Sequence, residues 1–474
     1  MRFCRGICRR ALSERVYTWI WWRLRLILAD LARHCGKTLA SSFDALSKLK
    51  ASYRFFANAR ISIRAMLEPH VAHTLERMQS HATVLVLQDT TFLDFGHRAE
   101  SVGLDIVNRS SANKPVEGLM LHNTLAITTQ GLPLGLLDQR FIERKQLHEE
   151  TAELTRSHRT RPTKAIEQKE SRRWVDVLHH CHALDVGSSQ MVHVCDREAD
   201  IYELFRDAEV LGEKVLVRAA HNRAINKVYQ HDTSTQWIFD ALSGRRAQGR
   251  TKVRLQVNGA KKYRDATLSI VFMSISMPAP TNRTVAKDGA SLPMVPLTAI
   301  MAIEKQSSRP LHDRVCWVLL TNLPIEDAES AIEKVQWYAQ RWTIEVFHKV
   351  LKSGCAAEKA QLGHADRLKR YIIAKSLVAW RLFWITRIQA QDPDASCDQI
   401  LEPLEWKLLH RKTCKTKRAP DEPPSVREAF IWIAKLGGYL NRKSDPDPGI
   451  VSLWRGWDRL SDIVDDHRDI CGES

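Results

Sequence analysis

The sequence predicts an α/β protein whose central core carries a β-rich insertion and is flanked by helical N- and C-terminal regions. Two short apolar runs, at 84–87 and 191–195, precede Asp89 and Asp196, and a helical pattern follows the second run. This succession of strand, acidic residue and helix is typical of α/β folds. A further block at 213–322 is rich in strand-forming residues and precedes a long helical segment, so we expect the insertion there.

The N-terminal region, at 1–80, is predicted to be a small helical DNA-binding domain. Residues 1–40 hold nine Lys/Arg and two acids, and residues 44–78 show a helical pattern of mixed polarity. The apolar stretch at 19–28 is too short, and too interrupted by arginine, to span a bilayer, and no small-residue cleavage site follows it. We therefore expect a cytoplasmic protein that is neither secreted nor inserted in a membrane.

Composition points to a polyanionic partner. The chain has 474 residues and a formal net charge of +16, with a pI near 9.5. Such a balance favours nucleic acid, with an anionic membrane surface as the weaker alternative. The ten cysteines form no CxxC pair and no cluster at zinc-ligand spacing, which indicates reduced thiols and no structural zinc site.

The core is predicted to span 81–385 and to consist of strands at 83–87, 119–128, 131–137 and 191–195, with helices within 145–183 and at 199–209. Within the insertion, strands are predicted at 214–217, 252–257, 266–275, 296–302 and 315–321. Its turn at 245–264 carries eight Lys/Arg and no acid. That turn is either a surface for phosphates or a solvated charged hairpin, and the sequence favours neither.

The C-terminal region, at 386–474, is predicted to be a helical dimerisation region. Several prolines and a basic run at 410–418 mark linkers around helices at 425–440 and 450–463.

The segment 338–352 carries a row of polar side chains at helical spacing. At about 100° per residue, Tyr338, Arg341, Glu345 and Lys352 fall within a stripe about 60° wide. A carboxylate flanked by cations and a phenol suits phosphoryl transfer, since Glu345 can hold a metal ion while the cations bind phosphate oxygens and Tyr338 positions a strand. The alternative is a surface helix with ion pairs such as Glu345 with Lys349.

Asp89 and Asp196 are each predicted to lie at or just beyond the end of a buried strand. An unpaired carboxylate is costly at such a semi-buried position, and a shared Mg²⁺ ion would remove that cost. Either aspartate could instead cap a helix or a turn.

These motifs resemble those of a known enzyme family. The segments 88–91 and 195–200, together with the pattern Tyr338-x2-Arg341-x3-Glu345-x6-Lys352, are similar to the three motif blocks of the insertion-sequence-four family of DDE transposases, named for its YREK signature. The resemblance extends from about Leu31 to Ile463. Residues 1–30 are rich in Trp, Arg and Cys and match no helix of that family.

The resemblance implies a ribonuclease-H-like catalytic core in which Asp89, Asp196 and Glu345 bind two Mg²⁺ or Mn²⁺ ions. It also implies that Trp317 stacks on a flipped base at the cleaved DNA end and that Arg218 contacts the distorted DNA; Trp342 is counted with them as a DNA-binding candidate. Stacking on an extruded base is worth about 1 to 3 kcal/mol, which offsets its unstacking. A core tryptophan is the alternative for Trp317.

The expected function is therefore a bacterial, nucleoid-associated transposase that cuts DNA at element ends through a hairpin and joins it to target DNA. The resemblance implies a homodimer in a synaptic complex, with the C-terminal region contributing to dimerisation. Two other functions stay open on the sequence: a ribonuclease-H-like nuclease that only hydrolyses, and a non-catalytic DNA-binding regulator derived from an element.

Overall fold

A computed structural model describes residues 14–96, 103–109, 114–143, 169–225, 236–256, 263–280, 292–305, 310, 314–445 and 447–471. Three predicted features lie outside these residues: the basic N-terminus at 1–13, the first part of the predicted helix at 145–183, and the tip of the basic hairpin at 257–262.

Three helices form the N-terminal region: α1 (Glu14–Arg33), α2 (Leu46–Ala57) and α3 (Ile63–Met78). On α1, Leu24, Ile27 and Leu31 recur at three- and four-residue spacing and are buried, so this face packs on the rest of the molecule. Helix α3 begins where the Ser62 hydroxyl accepts a hydrogen bond from the backbone N–H of Ala65, a common N-terminal cap.

Within the described ranges, ten strands form one mixed sheet at the centre of the molecule. The strands are β1 (Thr83–Asp94), β2 (Asp105–Arg109), β3 (Pro115–Thr128), β4 (Pro133–Ile142), β5 (Gln190–Cys195), β6 (Lys214–Arg218), β9 (Gly249–Gln256), β10 (Tyr263–Met277), β11 (Val295–Ile303) and β12 (Cys316–Thr321). Their order in the sheet is β2-β3-β1-β5-β6-β12-β11-β10-β9, and β4 pairs with β3. A separate pair joins β7 (Ala224–Ile225) to β8 (Gln236–Trp237).

The three central strands β1, β5 and β6 run parallel. Helix α4 (Arg172–His182) precedes β5, and helix α5 (Tyr202–Leu211) connects β5 to β6. Both helices bury apolar faces in one cluster with strand residues, including Trp174, Phe205 and Val217. Strands covered on both faces read as continuous apolar runs, which is why β1 and β5 could be predicted from sequence.

The predicted insertion is not a sheet of its own. β6 is already the neighbour of β5, and β12, β11, β10 and β9 continue the same sheet by antiparallel pairing. One short helix, α6 (Ile238–Ser243), packs against this extension. The sequence could not distinguish an added sheet from an extended one, because strand propensity does not encode the partner of an edge strand.

The segment 338–352, for which helical spacing was predicted, does not form one continuous helix in the structure. Helix α7 (Ala328–Ala339) ends before Gln340, helix α8 (Trp342–Lys349) follows, and residues Val350–Gly354 form a π-helical turn. The backbone N–H groups of Gln340 and Arg341 each bond to the carbonyl three residues earlier, so the chain tightens at this point. The spacing of the motif residues on an ideal helix is therefore only approximate.

Four helices complete the chain: α9 (Ala365–Gln391), α10 (Pro403–Cys414), α11 (Val426–Leu436) and α12 (Ile450–Cys471). Two glycines let α11 and α12 cross closely, since a Cβ at Gly437 would lie 1.7 Å from the Ser452 carbonyl oxygen and a Cβ at Gly456 1.7 Å from that of Ile433. None of the helices in the described ranges is both long enough and apolar enough for a membrane crossing.

The two ends of the chain pack together on α9. The Trp457 indole N–H donates to the carbonyl of Ala32 at 3.1 Å, and the Lys37 ammonium pairs with Asp462 at 2.9 Å. Fully buried Lys375, on α9, donates to the carbonyl of Cys35 at 3.0 Å. The N-terminal helices and α12 are thus held against the same central helix.

Candidate active site

Asp89 lies inside strand β1 and not at its end, which corrects the sequence-based placement. The strand continues to Asp94 because β3 pairs with it throughout, including Asp89 opposite Asn123. The parallel partner β5 ends earlier, so the strand loses its neighbour on that side at about this point. The residues after Asp89 are themselves good strand formers, which is why the apolar run understated the length of the strand.

The register of the parallel strands brings the two aspartates level. Leu87 pairs with Val194, and two further residues along each strand lead to Asp89 and Asp196. Neighbouring strands lie about 4.8 Å apart, and residues two apart share a face. Asp89 and Asp196 therefore meet at the carboxyl edge of β1 and β5, on the sheet face that carries Leu87 and Val194.

Helix α8 covers this face and supplies Glu345. Ile344 and Phe347 of α8 are fully buried in the same apolar cluster as Leu87 and Val194. The neighbouring Glu345 side chain remains partly exposed, at 29%. Packing of the apolar side of α8 on the sheet thus presents Glu345 at the aspartate edge.

Arg341 joins two of the three carboxylates. Its guanidinium forms an ion pair with Glu345 one turn further along the chain and lies 3.9 Å from the Asp89 carboxylate. Burial works to lower the pKa of Arg341, but the nearby Tyr338, Glu345 and Asp89 raise it above its usual value. Arg341 is therefore a permanent cation between two of the predicted catalytic acids.

Burial raises the pKa of Asp89 to about 7, against the opposing effect of Arg341, and the charges of Asp196 and Glu345 raise it further. Burial also raises the pKa of Glu345, and Asp196 contributes to that shift. The three carboxylates are thus close enough to repel one another. A site with this excess of negative charge favours a bound cation.

The carboxylates of Asp89, Asp196 and Glu345 are chemically suited to a divalent cation, but the three are not arranged around a common metal position. Carboxylate oxygens are the ligands that Mg²⁺ and Mn²⁺ prefer. Among the residues that the structure describes, no group of three or more His, Cys, Asp or Glu side chains is arranged to hold a metal ion. Arg341 lies between Asp89 and Glu345, and its positive charge partly replaces that of a metal.

The raised pKa of Asp89 predicts a pH-dependent gain in stability for Asp89→Asn. Between about pH 4 and pH 7 the unfolded chain ionises this carboxyl while the folded protein still holds its proton, so folding loses stability as pH rises. In EDTA, we expect the variant to gain on the order of 2 to 4 kcal/mol relative to wild type between pH 4 and pH 8. Urea unfolding at both pH values measures this difference, and a variant that tracks wild type across the range would contradict it.

His348 links the helix to the strand on the other side of Asp89. Its Nδ1 lies 3.6 Å from the Asp89 carboxylate, and its Nε2 lies 3.0 Å from the amide nitrogen of Asn123. Gln139 in turn donates to the Asn123 side-chain oxygen at 2.6 Å. Burial lowers the pKa of His348 to about 3, so the ring is neutral. Sequence reasoning missed these residues, and only the position of His348 three residues after Glu345 could have suggested one of them.

Arg218, Trp317 and Tyr338 also come together, at the same edge of the sheet. Arg218 ends β6 and donates to the Cys316 carbonyl at 3.2 Å, next to Trp317 near the start of β12. The rings of Trp317 and Tyr338 meet edge to face at 5.1 Å, and burial raises the pKa of Tyr338 against the opposing charges of the nearby Arg341 and Arg218. Trp317 is partly buried against the main apolar core, so the alternative of a packing role is compatible with its position.

Trp342 and Lys352, the other predicted DNA-binding residues, lie on either side of Glu345 along the chain. Lys352 lies in the π-helical turn and pairs with Glu358 at 3.7 Å. Trp342 begins α8 and is 40% exposed. In the predicted basic hairpin, Arg250, Lys252 and Arg254 point outwards from β9, whereas Arg264 makes a bidentate ion pair with Glu304. Arg264 therefore does not belong to an open phosphate-facing surface.

Asp196 also fulfils the alternative role of a cap. Its Oδ1 accepts from the backbone N–H of Glu198 at 2.9 Å and begins a short 3₁₀ turn. Nearby Asp200, which the sequence did not single out, is buried; it pairs with Arg223 at 2.5 Å and accepts from the backbone N–H of Ala220 at 2.8 Å. Asp200 thus fixes the loop that follows Arg218.

Comparison with known protein families finds two matches. Residues 22–61 match the family model described as transposase DNA-binding, and residues 377–472 match the model described as transposase Tn5 dimerisation domain. The first match covers the second part of α1 and all of α2, and it begins before Leu31, where the sequence resemblance was expected to start. The second runs from within α9 to the end of α12. Together the matches point to a transposase that binds DNA and forms dimers.

Proposed function

We propose that the protein is a DDE transposase with a ribonuclease-H-like core, which cleaves DNA at the ends of its element and joins them to target DNA. The observation that carries the proposal is the meeting of Asp89, Asp196 and Glu345, three acids far apart in sequence, at one sheet edge. The matches to transposase DNA-binding and dimerisation domains at the two ends of the chain support it.

The three carboxylates are the proposed ligands of two Mg²⁺ or Mn²⁺ ions. When bound, such ions make water more acidic and stabilise the charge that develops on a scissile phosphate. The residues fit this role because Asp89 and Asp196 are level on adjacent strands and Glu345 projects from the covering helix. Packing of α8 sets the position of Glu345 relative to both aspartates, so the chain itself determines how closely the acids approach.

Around these acids, the cationic and aromatic side chains are proposed to hold DNA. Arg341 presents a planar guanidinium that suits a phosphate, and it is next to the acids that would act on that phosphate. Arg218, Trp317 and Tyr338 form a contiguous set at the same edge. This set provides an aromatic surface for an extruded base and a cation for the neighbouring backbone. Lys352 and Trp342 are proposed to contact DNA further from the acids.

A hairpin route is proposed for cleavage. The 3′-OH freed by the first cut attacks the opposite strand, which forms the hairpin and releases the element end from flanking DNA. The flanking strand leaves with its own 3′-OH, and hydrolysis of the hairpin then regenerates the 3′-OH that attacks target DNA, so no covalent link to the enzyme forms. A base next to the cut must leave the helix for such a sharp turn, and stacking on Trp317 offsets that cost.

The two protomers of a dimer are proposed to hold one element end each. The segment that matches the dimerisation domain contains α10, α11 and α12, which pack against one another. Helix α12 also contacts the segment that matches the DNA-binding domain. The segments proposed for end binding and for dimer formation are therefore adjacent in the molecule.

Product analysis tests the proposed function. Purified protein is incubated with Mg²⁺ and end-labelled DNA that spans either flank of its own gene, with EDTA as the control. We expect excised ends that carry hairpins and, with added target DNA, joined products. Nicks without joining would indicate a nuclease that only hydrolyses, and binding without metal-dependent cleavage would indicate a regulator.

A further inference from the structure

Three neighbouring strands carry Asp89, Asn123 and Gln139 in register. Asp89 pairs with Asn123 between β1 and β3, and Asn123 pairs with Gln139 between β3 and β4. The Asn123 side chain is fully buried and that of Gln139 is 3% exposed. Buried amides without a partner are costly, so the contacts made within this row matter. The Gln139 amide N–H donates to the Asn123 oxygen and the Asn123 amide nitrogen contacts His348, whereas the Gln139 side-chain oxygen has no partner among the described residues.

The directions of these hydrogen bonds determine the tautomer of His348. Because the Asn123 oxygen accepts from Gln139, the Asn123 amide nitrogen faces Nε2 of His348 and donates to it. Nε2 must therefore be unprotonated, and the ring carries its one proton on Nδ1. Nδ1 is the atom that lies 3.6 Å from the Asp89 carboxylate, so the proton is on the nitrogen near the acid.

The opposite direction would need both amides to turn over. The Asn123 oxygen would then require a proton on Nε2, and Nδ1 would present a lone pair to the Asp89 carboxyl group 3.6 Å away. The hydrogen bonds of the structure instead place the proton on Nδ1, the nitrogen near that carboxyl group.

We propose that Gln139, Asn123 and His348 are positioning residues that act as a relay: the amide pair holds His348 as an Nδ1–H donor, and His348 orients the Asp89 carboxylate while joining α8 to β1. His348 follows Glu345 by three residues on the same helix, so it sets the approach of that helix to the strand. This inference deepens the proposed function and rests on it for the role of Asp89.

The tautomer of His348 can be measured in the full-length wild-type protein without DNA or metal. Protein with ¹⁵N-labelled histidine gives ring nitrogen signals, and comparison with His348→Asn identifies those of His348. The relay requires the Nδ1–H pattern in wild type and, in Asn123→Asp, the Nε2–H pattern, because a carboxylate there accepts from Nε2. An Nε2–H pattern in wild type would overturn the relay whether or not the variants fold.

Metal affinity is the second readout, and it also needs no catalysis. Mn²⁺ binding to the metal-free protein is followed by electron paramagnetic resonance. Loss of residues that orient a metal ligand usually weakens binding by about 10- to 100-fold, and we expect this range for Asn123→Asp and His348→Ala. His348→Asn keeps an N–H donor near the position of Nδ1, so it should retain affinity closer to wild type than His348→Ala does.

Thr124→Val is the matched control, since Thr124 is equally buried beside Asn123 on β3 and its hydroxyl has no hydrogen-bond partner within the structure as described. We expect Thr124→Val to leave Mn²⁺ affinity unchanged. If Thr124→Val and Asn123→Asp lose Mn²⁺ affinity equally, the loss comes from disturbed packing of β3, and the relay is rejected. Failure of the proposed function would give a different result from failure of the relay, because the wild-type protein would not cleave DNA while the measured tautomer of His348 would be unaffected.

Discussion

Glu345→Ala and Asp196→Ala are each expected to abolish Mg²⁺-dependent cleavage of element-end DNA while leaving DNA binding intact. Both side chains belong to the carboxylate set at the sheet edge, and neither lies in the segment that matches a transposase DNA-binding domain. A metal contributes several kcal/mol of charge stabilisation, and each 1.4 kcal/mol is tenfold in rate, so the loss should be about 10³-fold or more. Labelled end DNA on denaturing and native gels measures both quantities.

Two matched controls distinguish this effect from a general loss of charge. Asp94→Ala removes an exposed carboxylate from the same strand β1, and Glu333→Ala removes one from the preceding helix α7. We expect both to cleave at the wild-type rate. Wild-type cleavage by Glu345→Ala or Asp196→Ala would reject the three-acid site, and equal loss in all four variants would attribute the effect to net charge.

Arg341→Ala is expected to change cleavage and metal affinity in opposite directions. The guanidinium pairs with Asp89 and Glu345 in the absence of metal, so it competes with a cation for the same oxygens. Its removal should therefore strengthen Mn²⁺ binding to the free protein. Cleavage should nevertheless fall by about 10²- to 10³-fold, as for other preorganised groups that stabilise charge in a transition state.

The comparison is made with Arg411→Ala, which removes an exposed arginine from α10. That variant should match wild type in both measurements. Weaker Mn²⁺ binding by Arg341→Ala would show that the guanidinium supports the carboxylates instead of competing for them. Arg341→Lys gives a further distinction, since it retains the charge but lacks the planar fork for phosphate.

The sequence predicted the elements that carry the proposed site residues better than the arrangement of those elements. The apolar runs before Asp89 and Asp196 identified two strands, because strands buried on both faces leave a continuous apolar pattern. Periodicity likewise brought Tyr338, Arg341 and Glu345 onto one side of a helix, and the structure keeps these three near one another. Lys352 was predicted to share that side; it lies in the π turn that begins at Val350, and its ammonium pairs with Glu358.

What could not be predicted depends on register. Asp89 lies level with Asp196 only because of the register of two parallel strands. The row of Asp89, Asn123 and Gln139 likewise depends on which residues pair across neighbouring strands. A shift of one residue would turn each side chain to the other face, and no single strand encodes that choice. The length of β1 was underestimated for a related reason, since β3 supports the strand after its parallel partner ends.

The sheet that carries Asp89 and Asp196 also carries Trp317, so the sheet fixes the distance between the acids and this aromatic side chain. Strands β5, β6 and β12 are consecutive, and Asp196 is level with Arg218, which pairs with Leu319. Trp317 lies two residues further along β12, so two strand spacings and two residues separate Asp196 from Trp317, or roughly 12 Å. Because hydrogen-bonded strands set this distance, it does not change to suit a ligand. If DNA binds as proposed, with the cut phosphate at the acids and an extruded base on Trp317, it must unstack at that base, and tracts that deform easily would then be favoured even where no side chain reads a base.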